Sequence, residues 1–228
     1  MIRAVIFDMY ETLITHYRCP LYFSAQLAAD AGIPTAAFQA LWRPTEEART
    51  CGQLTLEAAL TGILTAYDRY SDELLRALVT RRRQTKAACF DALHPEILPM
   101  LEALRAYGLR VGLISNCYSE EADAIRSSRL MPFFDAVCLS WEQGLRKPDP
   151  GLFRRCLDML SLPPEECLYV GDGGSHELEA ARALGMQTVQ AAWYLIDGSD
   201  QPCGRLPEHR HAERPLDIPA IIRGGTCL

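Results

Sequence analysis

Five short apolar runs, each closed by a polar turn, constrain this chain more than anything else in it. They occupy residues 4–7, 109–114, 136–139, 167–170 and 188–191. Apolar runs of this length without polar alternation are typical of strands buried on both faces of a parallel sheet. Between them, residues 95–107, 120–126, 150–160 and 177–184 carry helical periodicity, and Gly108 and Gly185 stand where two of these helices should end. Strands alternating with helices predict an α/β fold with a doubly wound, Rossmann-like parallel sheet.

One interval breaks the alternation. Residues 15–92 show no strand pattern and read as helices over 21–31, 34–42, 56–67 and 72–89, with Thr55 as an N-cap. The expected organisation is a core made of residues 1–14 and 93–228, with a helical subdomain, residues 15–92, inserted between the first and second strands. Arg81-Arg82-Arg83 reads as a solvated helix face. The tail after Trp193 is rich in Pro, Gly and charge and reads as surface wrapping, His209-Arg210-His211 included, with a short last element near residues 216–222.

Composition removes several function classes. The net charge of −6 disfavours nucleic acid as a partner, because such binding rests on Lys and Arg neutralising phosphates. No apolar run approaches the roughly 20 residues of a membrane span. Asp8 and Glu11 interrupt the apolar start, which excludes a signal-peptide reading. The nine cysteines form no CxxC pair and are expected as reduced thiols, Cys117 as packing. The expectation is a cytoplasmic protein, monomer or homodimer, with a small-molecule substrate.

In open α/β sheets ligands bind at the carboxyl ends of the strands. The first run ends in Asp8-Met9-Tyr10-Glu11-Thr12, the second in Ser115-Asn116. The third leads to Gly144-Leu145-Arg146-Lys147-Pro148. The fourth leads to Gly171-Asp172-Gly173-Gly174, with Glu177 five residues beyond Asp172. Carboxylates, a hydroxyl and a lysine therefore converge at one rim. Such a set suits a hard divalent cation held through oxygen and a phosphoryl group held by Ser115 and Lys147.

These segments, in this order and covering residues 5 to about 186, resemble the four motifs of the haloacid dehalogenase-like hydrolase superfamily. The resemblance implies that Asp8 is a nucleophile forming a covalent aspartyl intermediate. It implies a Mg²⁺ held by the Asp8 carboxylate, the Tyr10 backbone carbonyl and Asp172, with Glu177 in support. Ser115, Asn116 and Lys147 become substrate contacts, Lys147 also balances charge beside Asp8, and Thr12 orients the nucleophile loop. Residues 15–92 become a cap that selects the substrate and excludes water.

Phosphatases of this superfamily usually carry a second aspartate two residues after the nucleophile, which protonates the leaving group. Here that position is Tyr10, as it often is in the superfamily's dehalogenases. Asp172 with Glu177 looks instead like a metal site, which those dehalogenases do not need. The leading expectation is a Mg²⁺-dependent phosphatase of a small phosphorylated metabolite. The alternatives are a metal-independent 2-haloacid dehalogenase and a catalytically weak binding protein.

Overall fold

The computed structural model describes residues 1–196 and 203–224. Six strands form one all-parallel sheet in the order β3-β2-β1-β4-β5-β6: β1 (Ala4–Phe7), β2 (Arg110–Ser115), β3 (Ala136–Leu139), β4 (Cys167–Gly171), β5 (Gln187–Ala191) and β6 (Arg210–Ala212). β1 is central, with Phe7 paired to Leu113 on one side and to Val170 on the other. The chain winds outward from β1 in both directions, so a crevice forms beyond the carboxyl ends of β1 and its two neighbours.

Between β1 and β2 the chain is helical, as its periodicity predicts. It contains α1 (Ser24–Asp30), α2 (Thr35–Trp42), α3 (Glu46–Thr50), α4 (Leu56–Ala66) and α5 (Asp72–Ala88). Thr55 accepts the Ala58 N–H at 3.2 Å and Ser71 accepts the Leu74 N–H at 3.1 Å, which starts α4 and α5. Each cap is worth about 1 kcal/mol. Of these, α1, α2, α4 and α5 share a core of their own, built on Leu27, Phe38, Trp42, Leu60, Ile63 and Leu78.

The remaining helices cover the sheet. They are α6 (Ile97–Ala106), α7 (Ser119–Arg126), α8 (Ser140–Gln143), α9 (Pro150–Leu160), α10 (Glu177–Ala183) and α11 (Asp217–Arg223). Strand side chains alternate between two faces, as the pleat requires. Val5, Phe7, Leu113 and Val170 pack with Met100, Leu104, Ile125 and Ile218, whereas Ala4, Ile6 and Tyr169 pack with Phe153, Cys156 and Leu178. Both faces are therefore dry, which is why the strands read as continuous apolar runs rather than alternating ones.

Three readings need correction. The tail is more than wrapping: β6 pairs in parallel with β5, and Ala212 is fully buried. A three-residue strand with the sequence Arg-His-Ala holds its place by backbone pairing and carries no apolar signature. His209 is buried, not a surface residue, and its Nδ1 lies 2.8 Å from Arg182 Nη2. Residues 197–202 and 225–228 of the tail lie outside the described residues. Finally, only two arginines of the 81–83 run are solvated. Arg82 is 2% exposed and pairs with Glu120 at 3.0 Å.

Candidate active site

β1 delivers Asp8 to the centre of the crevice, where its backbone N–H donates to the Val170 carbonyl at 2.9 Å and so continues the ladder past the strand. The chain then turns sharply. Glu11 takes a left-handed φ of 57°, which costs a non-glycine residue about 1–2 kcal/mol. Its buried carboxylate offsets this by accepting from Thr15 Oγ1 at 2.5 Å and from the His16 N–H at 3.0 Å. The turn leaves Thr12 Oγ1 3.5 Å from Asp8 Oδ2, and the Thr12 carbonyl accepts from Trp193 Nε1 at 2.8 Å.

Lys147 comes from the loop after α8, 139 residues further along the chain, and its Nζ donates to Asp8 Oδ1 at 2.5 Å. Its backbone is gripped by Asn116, at the end of β2. Asn116 Oδ1 accepts the Lys147 N–H at 2.7 Å, and Asn116 Nδ2 donates to the Lys147 carbonyl at 3.2 Å. Ser115 is fully buried and its hydroxyl donates to the Asn116 carbonyl at 3.3 Å.

Asp172 follows β4 on a turn organised by Glu177. The Glu177 carboxylate accepts the Gly173 N–H at 2.8 Å and the Ser175 N–H at 2.7 Å. Gly173 has φ 96°, and a Cβ there would fall 2.6 Å from Leu206 Cδ1, so the turn needs glycine. A second support comes from Gln190 on β5, which is fully buried. Its Nε2 donates to the carbonyls of Asp172 and Gly204, each at 2.8 Å, and its Oε1 accepts the Leu206 N–H at 2.9 Å.

Asp8, Asp172 and Glu177 are all buried, and each offers an oxygen within 4.8 Å of the others. One ammonium, Lys147, stands among three carboxylates. The electrostatic consequence is visible in each group. Burial pushes Asp8 up to about 6 against the opposing pull of Lys147, with Glu177 adding to the rise. Burial, then Glu177 and Asp8, push Asp172 well above the usual carboxylate range. Burial would raise Glu177 as well, but Lys147 and its own backbone donors hold it low. Lys147 loses hold on its proton through burial but regains more from Asp8 and Glu177, and stays charged. A cluster with this excess of negative charge, made of oxygen donors alone, fits a small hard dication.

A cavity of about 430 Å³ opens onto Asp8, Tyr10, Asn116, Lys147 and Asp172. The helical segment between β1 and β2 supplies more of its wall, including His16, Phe23, Trp42, Arg82 and Lys86. Part of that wall is a buried ionic network. Lys86 Nζ is 2.7 Å from Glu121 Oε1 and 2.7 Å from His16 Nε2, and Arg82 Nη2 is 3.7 Å from Glu121 Oε1. Burial alone would raise the Glu121 carboxyl, but Lys86 and Arg82 hold it down at about 2. The Tyr10 ring stacks flat on His16, with centroids 4.5 Å apart.

The structure thus gathers Asp8, Thr12, Lys147, Asp172 and Glu177 at one point and places Asn116 beside them on the Lys147 backbone. Sequence reasoning passed over Lys86, Glu121 and Gln190, read Arg82 as solvated, and offered His16, with Glu11, only as a replacement for the missing acid. One signal was available: Leu78, Arg82 and Lys86 recur every four residues and form the buried stripe of α5. The Cys117 thiol is buried and burial pushes its pKa well up, as packing requires.

The model of the haloacid dehalogenase-like hydrolase family matches residues 2–185. A glyceraldehyde 3-phosphate phosphatase from Methanopyrus kandleri is 28% identical over 207 residues, which cover 83% of this chain and 84% of the relative. The chain spans about half the length of several other curated relatives. Among solved structures, a HAD phosphatase from Thermococcus onnurineus aligns with a TM-score of 0.68 at 20% identity, over 98% of this chain and 99% of that one. A 2-haloacid dehalogenase from Pseudomonas syringae aligns equally well, with a TM-score of 0.68 at 21% identity over 98% and 99%. At such identities the structural likeness shows the fold alone.

Proposed function

Since the chain belongs to the haloacid dehalogenase-like hydrolase family, we propose that it is a Mg²⁺-dependent phosphatase of a small phosphorylated metabolite, working through an aspartyl phosphate on Asp8. The observation that carries this reading is the buried cluster of Asp8, Asp172 and Glu177 with Lys147 as its one ammonium. A hydrolase that attacked an uncharged carbon would have no use for so much uncompensated negative charge. The phosphatase name of the Methanopyrus relative supports the same reading.

The residues divide the work as follows. Asp8 supplies the attacking carboxylate oxygen. Asp8, the Tyr10 carbonyl and Asp172 would hold the dication, with Glu177 shaping the turn that carries Asp172. Bound there, Mg²⁺ would offset the repulsion between a carboxylate nucleophile and a phosphate. Lys147 keeps Asp8 ionised and meets the phosphoryl oxygens, and Asn116 fixes where Lys147 stands. Ser115 holds the strand end, and Thr12 steadies the Asp8 carboxylate. Residues 15–92 serve as the cap, closing the cavity over the site and choosing what enters it. The thiols among the described residues are free, in keeping with a cytoplasmic enzyme.

The test is phosphate release from acetyl phosphate and p-nitrophenyl phosphate, with Mg²⁺ and then with EDTA. Both leaving groups depart without a protein acid. Turnover that needs Mg²⁺ supports the reading, and turnover unchanged by EDTA contradicts it. Tyr10 favours a second reading, halide release from a 2-haloacid, for which chloride release from 2-chloropropionate in EDTA is the measurement.

A further inference from the structure

The phosphatase reading leaves the departing oxygen without a partner. The Tyr10 hydroxyl is buried with no hydrogen-bond partner, and its oxygen has almost no surface open to a ligand. Glu11, the next candidate, spends both carboxylate oxygens on Thr15 and His16. His16 is also committed: its Nδ1 meets Glu11 Oε1 at 3.2 Å and its Nε2 meets Lys86 Nζ at 2.7 Å. With Lys86 donating, His16 Nε2 is an acceptor and offers the cavity no proton. Arg82 lines the cavity but its donors turn to Glu120, Glu121 and the Tyr22 carbonyl, and a guanidinium does not give up a proton.

Lys86 differs from all of these. An ammonium has three N–H donors. Glu121 and His16 take two, and the side chain lines the same cavity as Asp8. Its Nζ lies 5.7 Å from the centre of the Tyr10 ring and 5.1 Å from that of Phe23, so α5 brings an ammonium beside the residue that stands where an acid is missing. Two segments fix it there: His16 from the β1 loop and Glu121 from α7, the latter also approached by Arg82, one turn earlier on α5, at 3.7 Å.

Building on the phosphatase reading, we propose that Lys86 serves the leaving group, donating its remaining N–H to the oxygen that departs from phosphorus. In the first step an Asp8 oxygen bonds to phosphorus as the P–O bond to the leaving group breaks. The electron pair of that bond goes to the departing oxygen, and the proton of the Lys86 hydrogen bond goes with it, so the product is the neutral alcohol. In the second step water cleaves the aspartyl phosphate and returns a proton to the Lys86 amine. The enzyme is thereby equipped for unactivated alkyl phosphates, which need such help, as well as aryl phosphates, which do not.

The experiment compares the full chain with its Lys86→Met variant on a series of alkyl and aryl phosphates in Mg²⁺. In the unsubstituted enzyme kcat/KM should depend only weakly on leaving-group basicity. In Lys86→Met the alkyl substrates should lose about 100-fold more than p-nitrophenyl phosphate, the scale of positioned acid catalysis. Equal losses on both classes overturn the proposal and leave the phosphatase reading standing. A steep dependence on leaving-group basicity in the unsubstituted enzyme also overturns it, and needs no variant to fold. Failure of the unsubstituted enzyme to hydrolyse any phosphate overturns both.

Discussion

Asn116 holds Lys147 by its main chain on both sides, accepting its N–H at 2.7 Å and donating to its carbonyl at 3.2 Å. The side chain expected to touch substrate thus has its amide engaged in placing another residue. Asn116→Ala should lower kcat by roughly 10- to 100-fold with a smaller change in KM, because displacements near 1 Å cost on this scale. A rise in KM with kcat intact would restore Asn116 to substrate contact.

Asp8→Asn should abolish phosphate release, by at least about 10³-fold, because the proposed mechanism runs through its carboxylate. The fold should survive. Burial already pushes Asp8 up to about 6, so a neutral isostere is less foreign there than at an exposed aspartate. Circular dichroism and Tm of the variant, beside a phosphate assay, check both halves.

A dication that binds Asp8 and Asp172 in the folded chain alone must raise its stability. At a Mg²⁺ concentration 100 times Kd the gain is about 2.7 kcal/mol. Thermal denaturation with and without Mg²⁺ reads it directly, and Asp172→Asn should abolish most of the shift. A Tm indifferent to Mg²⁺ in the unsubstituted protein removes the metal centre.

The Glu121 carboxyl is held at about 2 in the folded chain against an ordinary value of 4.5. The resulting stabilisation is complete above about pH 4.5 and is lost as pH falls through about 2. Urea unfolding at successive pH values should therefore show a steeper acid decline for the unsubstituted protein than for Glu121→Gln. At neutral pH Glu121→Gln should itself be destabilised by about 3–5 kcal/mol, since Lys86 stays buried with its counter-charge gone. Parallel declines in the two proteins would show that Glu121 titrates as a free carboxylate.

Most of the fold was legible because each strand of the inner sheet is buried on both sides and so advertises itself as an unbroken apolar run. Asp8, Lys147 and Asp172 were legible because strand ends converge wherever the strands do. β6 was not: Arg210–Ala212 owes its position to hydrogen bonds that any sequence can make. Lys86 and Arg82 were hidden for another reason. In a run of helical arginines and lysines the charged residue turned inward differs from its neighbours only by its four-residue spacing from Leu78, and its partners are acids of α7 far along the chain. Gln190 was equally silent, since a glutamine in a strand carries no mark of the carbonyls it will bind.

Gln190 also changes what counts as the catalytic unit. It is bonded on one side to the Asp172 carbonyl and on the other to Gly204 and Leu206. The family match ends at residue 185, short of every one of these anchors except Asp172 itself. A chain trimmed to the matched segment would keep all four motifs and lose the brace under one of them. The minimal enzyme is therefore longer than its signature, and its last structural requirement lies downstream of its last recognisable one.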